Sequence, residues 1–149
     1  MIEDQYVSYR TAILLKKYGF SGSSDKYYIY SYTTLLKTDS DFPIKCDLAF
    51  DDSSIDIIEN QIPKDDITKF AAPTQSVALR WLREEKNIFV TVEMGCDVER
   101  ECFYYYAPLA SIYSTTDVRF VDFGEDLEFA TYEGAIEHAL QYILLNCLN

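Results

Sequence analysis

Apolar positions along this chain recur in two periods, and one stretch switches cleanly between them. In PTQSVALRWLREEKNIFVTVEM, residues 73–94, Val77, Ala78, Trp81 and Leu82 stand at i, i+1, i+4 and i+5, one broad apolar face of a helix. Pro73 suits a first helical turn, where its missing N–H leaves no bond unmade, and Thr74 is the N-cap if the helix begins one residue later. Lys86 complements the helix dipole in the last turn. Asn87 tolerates the left-handed conformation that stops a helix. The period then becomes two: Ile88, Val90, Val92 and Met94 face one way, and Phe89, Thr91 and Glu93 the other. The pattern predicts a helix over 74–86 packed back on the strand it feeds. Trp81, the one tryptophan, is expected in the core, so that Trp81→Ala would cost about 3–5 kcal/mol.

Two more helices follow from period and punctuation. Residues 8–18 have Ser8 as N-cap, Ala12, Ile13, Leu14 and Leu15 as apolar positions, Gly19 as a left-handed stop and Phe20 packing back on the last turn. Residues 132–147 have Thr131 as N-cap, Glu133 in the first turn, and a stripe of Ala135, Ile136, Ala139, Leu140, Ile143, Leu144 and Cys147. Extended runs are expected at 26–36, with Tyr28, Tyr30 and Tyr32 on one face, at 44–50, at 55–58, at 101–107 and at 118–123. Residues 101–107 form a hairpin with 88–94 across a connection longer than a tight turn. Pro108 either ends its strand or places it at an edge, with 109–113 a possible continuation. Residues 63–70 read as a helical turn led by Asp65 or Asp66. The fold class is α+β: a mainly antiparallel sheet of about five strands covered by helices at about 8–18, 74–86 and 132–147. No repeat or linker interrupts it, and residues 1–149 read as a single compact domain.

Length and composition fit that reading. The 149 residues can bury roughly 68–70% of their unfolded surface, and hydrophobic content of 48% excludes global disorder. The formal net charge of −12 opposes direct binding to nucleic acid and to anionic membranes. It suits solubility, a basic protein partner or mimicry of a polyanion. Residues 21–66 are locally acidic, with ten Asp and Glu against four lysines. No apolar run reaches transmembrane length. The start MIEDQYVSYR lacks the charged and apolar regions of an export signal, so the expected compartment is the cytoplasm, with Cys46, Cys96, Cys102 and Cys147 as reduced thiols.

Candidate chemistry is sparse. The four cysteines form no C-x-x-C pair and only one histidine exists, which argues against a zinc site. That histidine, His138, has no serine or cysteine at a telling spacing, and reads as a surface residue beside the apolar stripe rather than a general base. GFSGS, 19–23, falls short of a G-x-S-x-G elbow and follows a helix, not a strand. Asp39 with Asp41, and Asp51 with Asp52, are oxygen donors of the kind that hold Mg²⁺ or Ca²⁺. Counted from Asp39, however, the sixth position is Ile44, where an EF-hand loop needs glycine. Tyr104, Tyr105 and Tyr106 have rings that stack on bases, but their acidic surroundings favour a strand with both faces covered. Arg80, Arg83 and Lys86 are the one basic cluster on an ordered element, and read as a solvated helix side. No catalytic, cofactor-binding or metal-ligating residue is assigned, and no cofactor is expected.

Two blocks, APTQSVALRWLREEKNIFVTV (72–92) and FATYEGAIEHALQYIL (129–144), resemble a set of short proteins of unassigned function encoded by gut Bacteroidales and their phages and mobile elements. The opening VSYRTAILLKKYGF (7–20) resembles the start of the same proteins. The likeness covers about half the chain. Similar closing blocks place Glu at the third helical position, completing a capping box; here Gly134 stands there. The resemblance implies a phage or mobile-element context and no particular activity. The expected function is a small acidic, non-enzymatic protein-interaction or accessory factor, with a protein as partner. The alternatives are a polyanion mimic, with the acids of 37–66 and 117–137 on one face, and a small enzyme with a carboxylate or metal site. The sequence itself sets neither an oligomeric state nor a named ligand.

Overall fold

The computed structural model describes residues 5–22, 24, 26–31, 47–49, 67–101, 103–125 and 127–148. They divide into two compact units, Tyr6–Pro73 and Met1–Gln5 with Thr74–Asn149. The fold is α+β, with three helices among the described residues and two antiparallel sheets in place of the one expected.

In the unit Tyr6–Pro73, helix α1 (Tyr9–Lys17) starts where Ser8 Oγ accepts the Thr11 N–H at 3.3 Å. It ends as the sequence expects. Gly19 takes φ +94°, its N–H bonds the Lys16 carbonyl, and the Phe20 N–H reaches back to Leu15 at 2.9 Å. These paired bonds satisfy the last carbonyls of the helix. Thr11, Ala12, Leu14 and Leu15 are buried. Strand β1 (Tyr27–Ser31) lies between β2 (Asp47–Ala49) and β3 (Ile67–Ala71), antiparallel to both. The Tyr28 hydroxyl donates to the Val7 carbonyl at 2.7 Å, meeting the need a half-buried phenol has for a partner. Residues 67–71 are therefore strand and not the helical turn expected over 63–70. Their pairing with β1 explains the second sheet, because β1 already has a neighbour on each edge. The strand expected at 55–58 lies outside the described residues.

In the second unit, helix α2 (Gln75–Lys86) is capped by Thr74, whose hydroxyl accepts the Val77 N–H at 3.4 Å, and stops at Asn87 with φ 55° and ψ 35°. Pro73 thus precedes the helix. Helix α3 (Tyr132–Asn146) is capped by Thr131, which accepts the Gly134 N–H at 3.0 Å. All the expected stripe of α3 is buried except Cys147, which is half-buried just past the last turn. The side-chain amide of the buried Gln75 donates to the Glu133 carbonyl at 3.0 Å and ties α2 to α3. The sheet has the order β4 (Ile88–Asp97), β5 (Phe103–Tyr113), β6 (Val118–Phe120), with ten residue pairs between β4 and β5.

Trp81 is half-buried, with Lys86 Nζ 5.2 Å from the ring centroid, so it is not the core residue expected. The buried line of α2 runs through Gln75, Ala78 and Leu82, and Val77 and Trp81 lie to its sides. Arg80 and Arg83 are exposed, and Arg80 pairs with Glu84 at 2.8 Å, as a solvated helix side should. Leu82→Ala should therefore cost about 2–5 kcal/mol and Trp81→Ala clearly less. Urea unfolding of both variants checks the order, and a larger loss for Trp81→Ala would contradict it.

Candidate functional site

Strand β5 sets the geometry of the site. In an antiparallel ladder, successive residues point their N–H and C=O groups to opposite sides. Tyr113 donates to Asn87 at the start of β4, whereas Tyr106 exchanges two bonds with Phe129 and the Ala110 carbonyl accepts Val121 N–H at 2.9 Å. Tyr106, Pro108 and Ala110 therefore all face away from β4. Pro108, which pairs with Val92, has no N–H to offer on that side. Pro108 neither ends its strand nor lies at a sheet edge throughout. It sits at a local edge, between the Phe129 bridge and β6.

The chain bypasses this gap as an arch. After Phe120 it leaves the ladder, turns at Asp122–Gly124, where Asp122 Oδ1 accepts the Gly124 N–H at 2.9 Å and Gly124 has φ +97°, and returns to β5 at Phe129. The strand expected over 118–123 is thus β6 plus the start of the arch. Between β5 and the arch lies a groove of about 360 Å³. Ala107 and Leu109 line one side, Val121 and Leu127 the other, with Asp122 and Glu128 among its polar residues. Arg100, on the 3₁₀ turn Val98–Arg100 of the β4–β5 connection, pairs with Asp97 at 2.6 Å and with Glu128 of the arch. The hydrogen bond from Arg100 holds the Asp97 carboxyl below its usual range, and the two carboxylates keep the guanidinium charged.

One face of the sheet is open. Residues that pair directly share a face, which places Phe89, Ser111 and Phe120 in one row and Tyr113 with Val118 in the next. Thr91 and Leu109 form the row on the other side. Phe120 is 81% exposed, Leu109 50% and Phe89 42%, with Tyr113 and Val118 similar to Phe89. Phe89 and Tyr113 meet edge to face at 4.9 Å. The opposite face carries Ile88, Val90 and Val92, as the alternation predicts, but Met94 is exposed at its far end. Tyr104 is 61% exposed, and Tyr105 and Tyr106 are half-buried, so this strand does not have both faces covered. The Tyr105 ring lies over its partner Gly95, where a Cβ would collide with it. That close approach explains a glycine inside a strand.

His138 is half-buried rather than a surface residue. It stands on α3 among the rings of Phe123 and Phe129 of the arch, at 6.2 and 5.1 Å, and Tyr142 at 6.3 Å. Its Nε2 is sealed from solvent and has no hydrogen-bond partner among the described residues. Desolvation lowers its pKa, so the neutral ring is the form that belongs in the cluster. A second groove, of about 380 Å³, lies between Arg119 of β6, Tyr142 of α3 and Cys147 just past its end. Burial pushes the Cys147 thiol up, against the pull of Arg119, which leaves a thiol and not a nucleophilic thiolate.

Among the described residues no three His, Cys, Asp or Glu side chains converge to hold a metal, and no helix is long and apolar enough to cross a membrane. Asp39, Asp41, Asp51, Asp52, Cys46 and Cys102 lie outside the described residues. Comparison with protein-family models, with curated proteins and with solved structures gave no match.

The His138 cluster makes stability depend on pH. Its folded pKa lies below the ordinary value of 6.5, so as pH falls through that value the unfolded chain takes up a proton that the native state refuses. Stability should fall between about pH 7.5 and 5.5, until the folded pKa is passed. His138→Phe should flatten this part of the profile. Urea midpoints of wild type and variant at the two pH values give the test, and equal slopes would rule the mechanism out.

Proposed function

We propose that this protein is a small, acidic, non-enzymatic interaction factor that docks a partner protein on the open face of β4, β5 and β6. The observation that supports this reading is the open row structure of that face, where Phe89, Leu109, Tyr113, Val118 and Phe120 all remain exposed side by side. Scattered apolar residues are normal on any surface, whereas a contiguous set on one sheet face marks an interaction site. The resemblance of residues 72–92 and 129–144 to phage and mobile-element proteins adds an accessory role in such a context. A polyanion mimic draws less support, since a mimic presents carboxylates where this face presents rings and aliphatic groups.

Phe120→Asp combined with Leu109→Ser should leave the fold intact, because exposed substitutions away from special features usually change stability by less than about 0.5 kcal/mol. Affinity capture from a lysate of the source cells, quantified for wild type and double variant side by side, reads the outcome. The expected result is a partner retained by the wild type and lost by the variant. Identical captures, or no reproducible capture, would refute the proposal.

A further inference from the structure

We infer that the groove beside Pro108 takes an arginine or lysine side chain from an extended segment of the partner, whose apolar residues lie on the adjoining Leu109–Phe120 face. The inference rests on the interaction reading above and adds the chemistry of the occupant. A groove of about 360 Å³ has room for a single long side chain. Its walls at Ala107, Leu109, Val121 and Leu127 suit the methylene stem of a basic residue, while its carboxylates suit the charged head.

The two carboxylates are not equivalent. Glu128 is already bound by Arg100, which shows within the chain itself the kind of group this rim accepts. Asp122 Oδ1 accepts the Gly124 N–H, and its Oδ2 has no partner among the described residues. Asp122 is therefore the anchor left for a partner's cation. Leu109 belongs both to the groove and to the open face, so a strand-like segment laid across the face passes the groove mouth.

Charge selects the occupant. Residues 88–131 carry nine Asp and Glu against Arg100 and Arg119, and Arg100 is shared by two of those acids. A second copy of this chain docked through the same face would set acid against acid, and a nucleic acid would be repelled in the same way. A basic, amphipathic segment meets both the apolar face and the acidic rim. Its association should be faster and tighter at low salt.

The test uses dye-labelled peptides of alternating leucine and serine around one central arginine, with citrulline and glutamate twins, titrated by fluorescence anisotropy against the full chain. Citrulline keeps the shape of arginine and removes the charge. The arginine peptide should bind about three- to fivefold tighter than its citrulline twin, in line with one ion pair to the exposed Asp122. That preference should vanish in Asp122→Asn, which keeps the oxygen that holds the Gly124 turn, and shrink when salt is raised. Equal binding of the three peptides, no binding of the arginine peptide, or a preference that survives Asp122→Asn would each overturn the groove assignment. If Phe120→Asp abolishes binding of all three while Asp122→Asn changes nothing, the groove assignment falls and the open-face reading stands. The open-face reading itself fails where the lysate capture finds no reproducible partner or is blind to Phe120→Asp with Leu109→Ser.

Discussion

The missing N–H of Pro108 is the constraint on which the second unit depends. Ten pairs hold β5 against β4, but on its far side β5 cannot carry an unbroken ladder through a residue without a donor. The chain accommodates this by ending β6 at Phe120 and returning only at Phe129, where Tyr106 can both donate and accept. After the Val121 N–H, which still reaches the Ala110 carbonyl, the chain leaves the sheet. The groove, its two carboxylates and the unpaired stretch of β5 edge all follow from that one interruption.

An arch that gives up ladder bonds needs other anchors, and each here is made of different chemistry. At its start Asp122 and the positive-φ Gly124 form a turn that other residues adopt only with strain. At its end Glu128 is gripped by Arg100, which also closes on Asp97, so the arch is tied to the tip of the β4–β5 hairpin. Between these, Phe123 and Phe129 rest on His138 and Tyr142 of α3. A histidine in that position leaves Nε2 without a partner among the described residues, a real cost for a buried polar atom. Desolvation there disfavours the protonated ring, which couples the arch to pH.

The helices were legible because period and punctuation agreed. Ser8, Thr74 and Thr131 are caps, Gly19 and Asn87 are left-handed stops, and the apolar stripe of α3 is buried almost as read. Strand β3 was not, since five residues after Asp65 and Asp66 resemble a capped turn more than a strand, and only pairing with β1 decides the matter. Trp81 misled for a related reason. Its size suggested a core position, yet burial follows the line through Ala78 and Leu82, and a bulky ring at the side of that line stays half in water. The site was the least legible. Pro108 was visible as an interruption, but the groove joins Leu109, Asp122 and Leu127, which only the sheet register and the return at Phe129 bring together. Arg100 could be matched with Asp97 by spacing alone; nothing local pointed to Glu128.

An open apolar face beside an edge strand is ordinarily a hazard, because copies of the same chain can stack on it. Here the acidity that looks featureless in the composition takes on a local role. Residues 88–131 carry nine acids against two arginines, so two copies that approach through this sheet each bring a net negative charge. Repulsion of that kind weakens self-association far more than it weakens a basic partner, for which the same charges are attractive. The proposed docking face would thus be less adhesive to its own copies than its apolar rows alone suggest. On the interaction reading proposed above, charge and hydrophobic surface act as one device: the rings and aliphatic groups would supply contact area, and the carboxylates would decide which surface can use it.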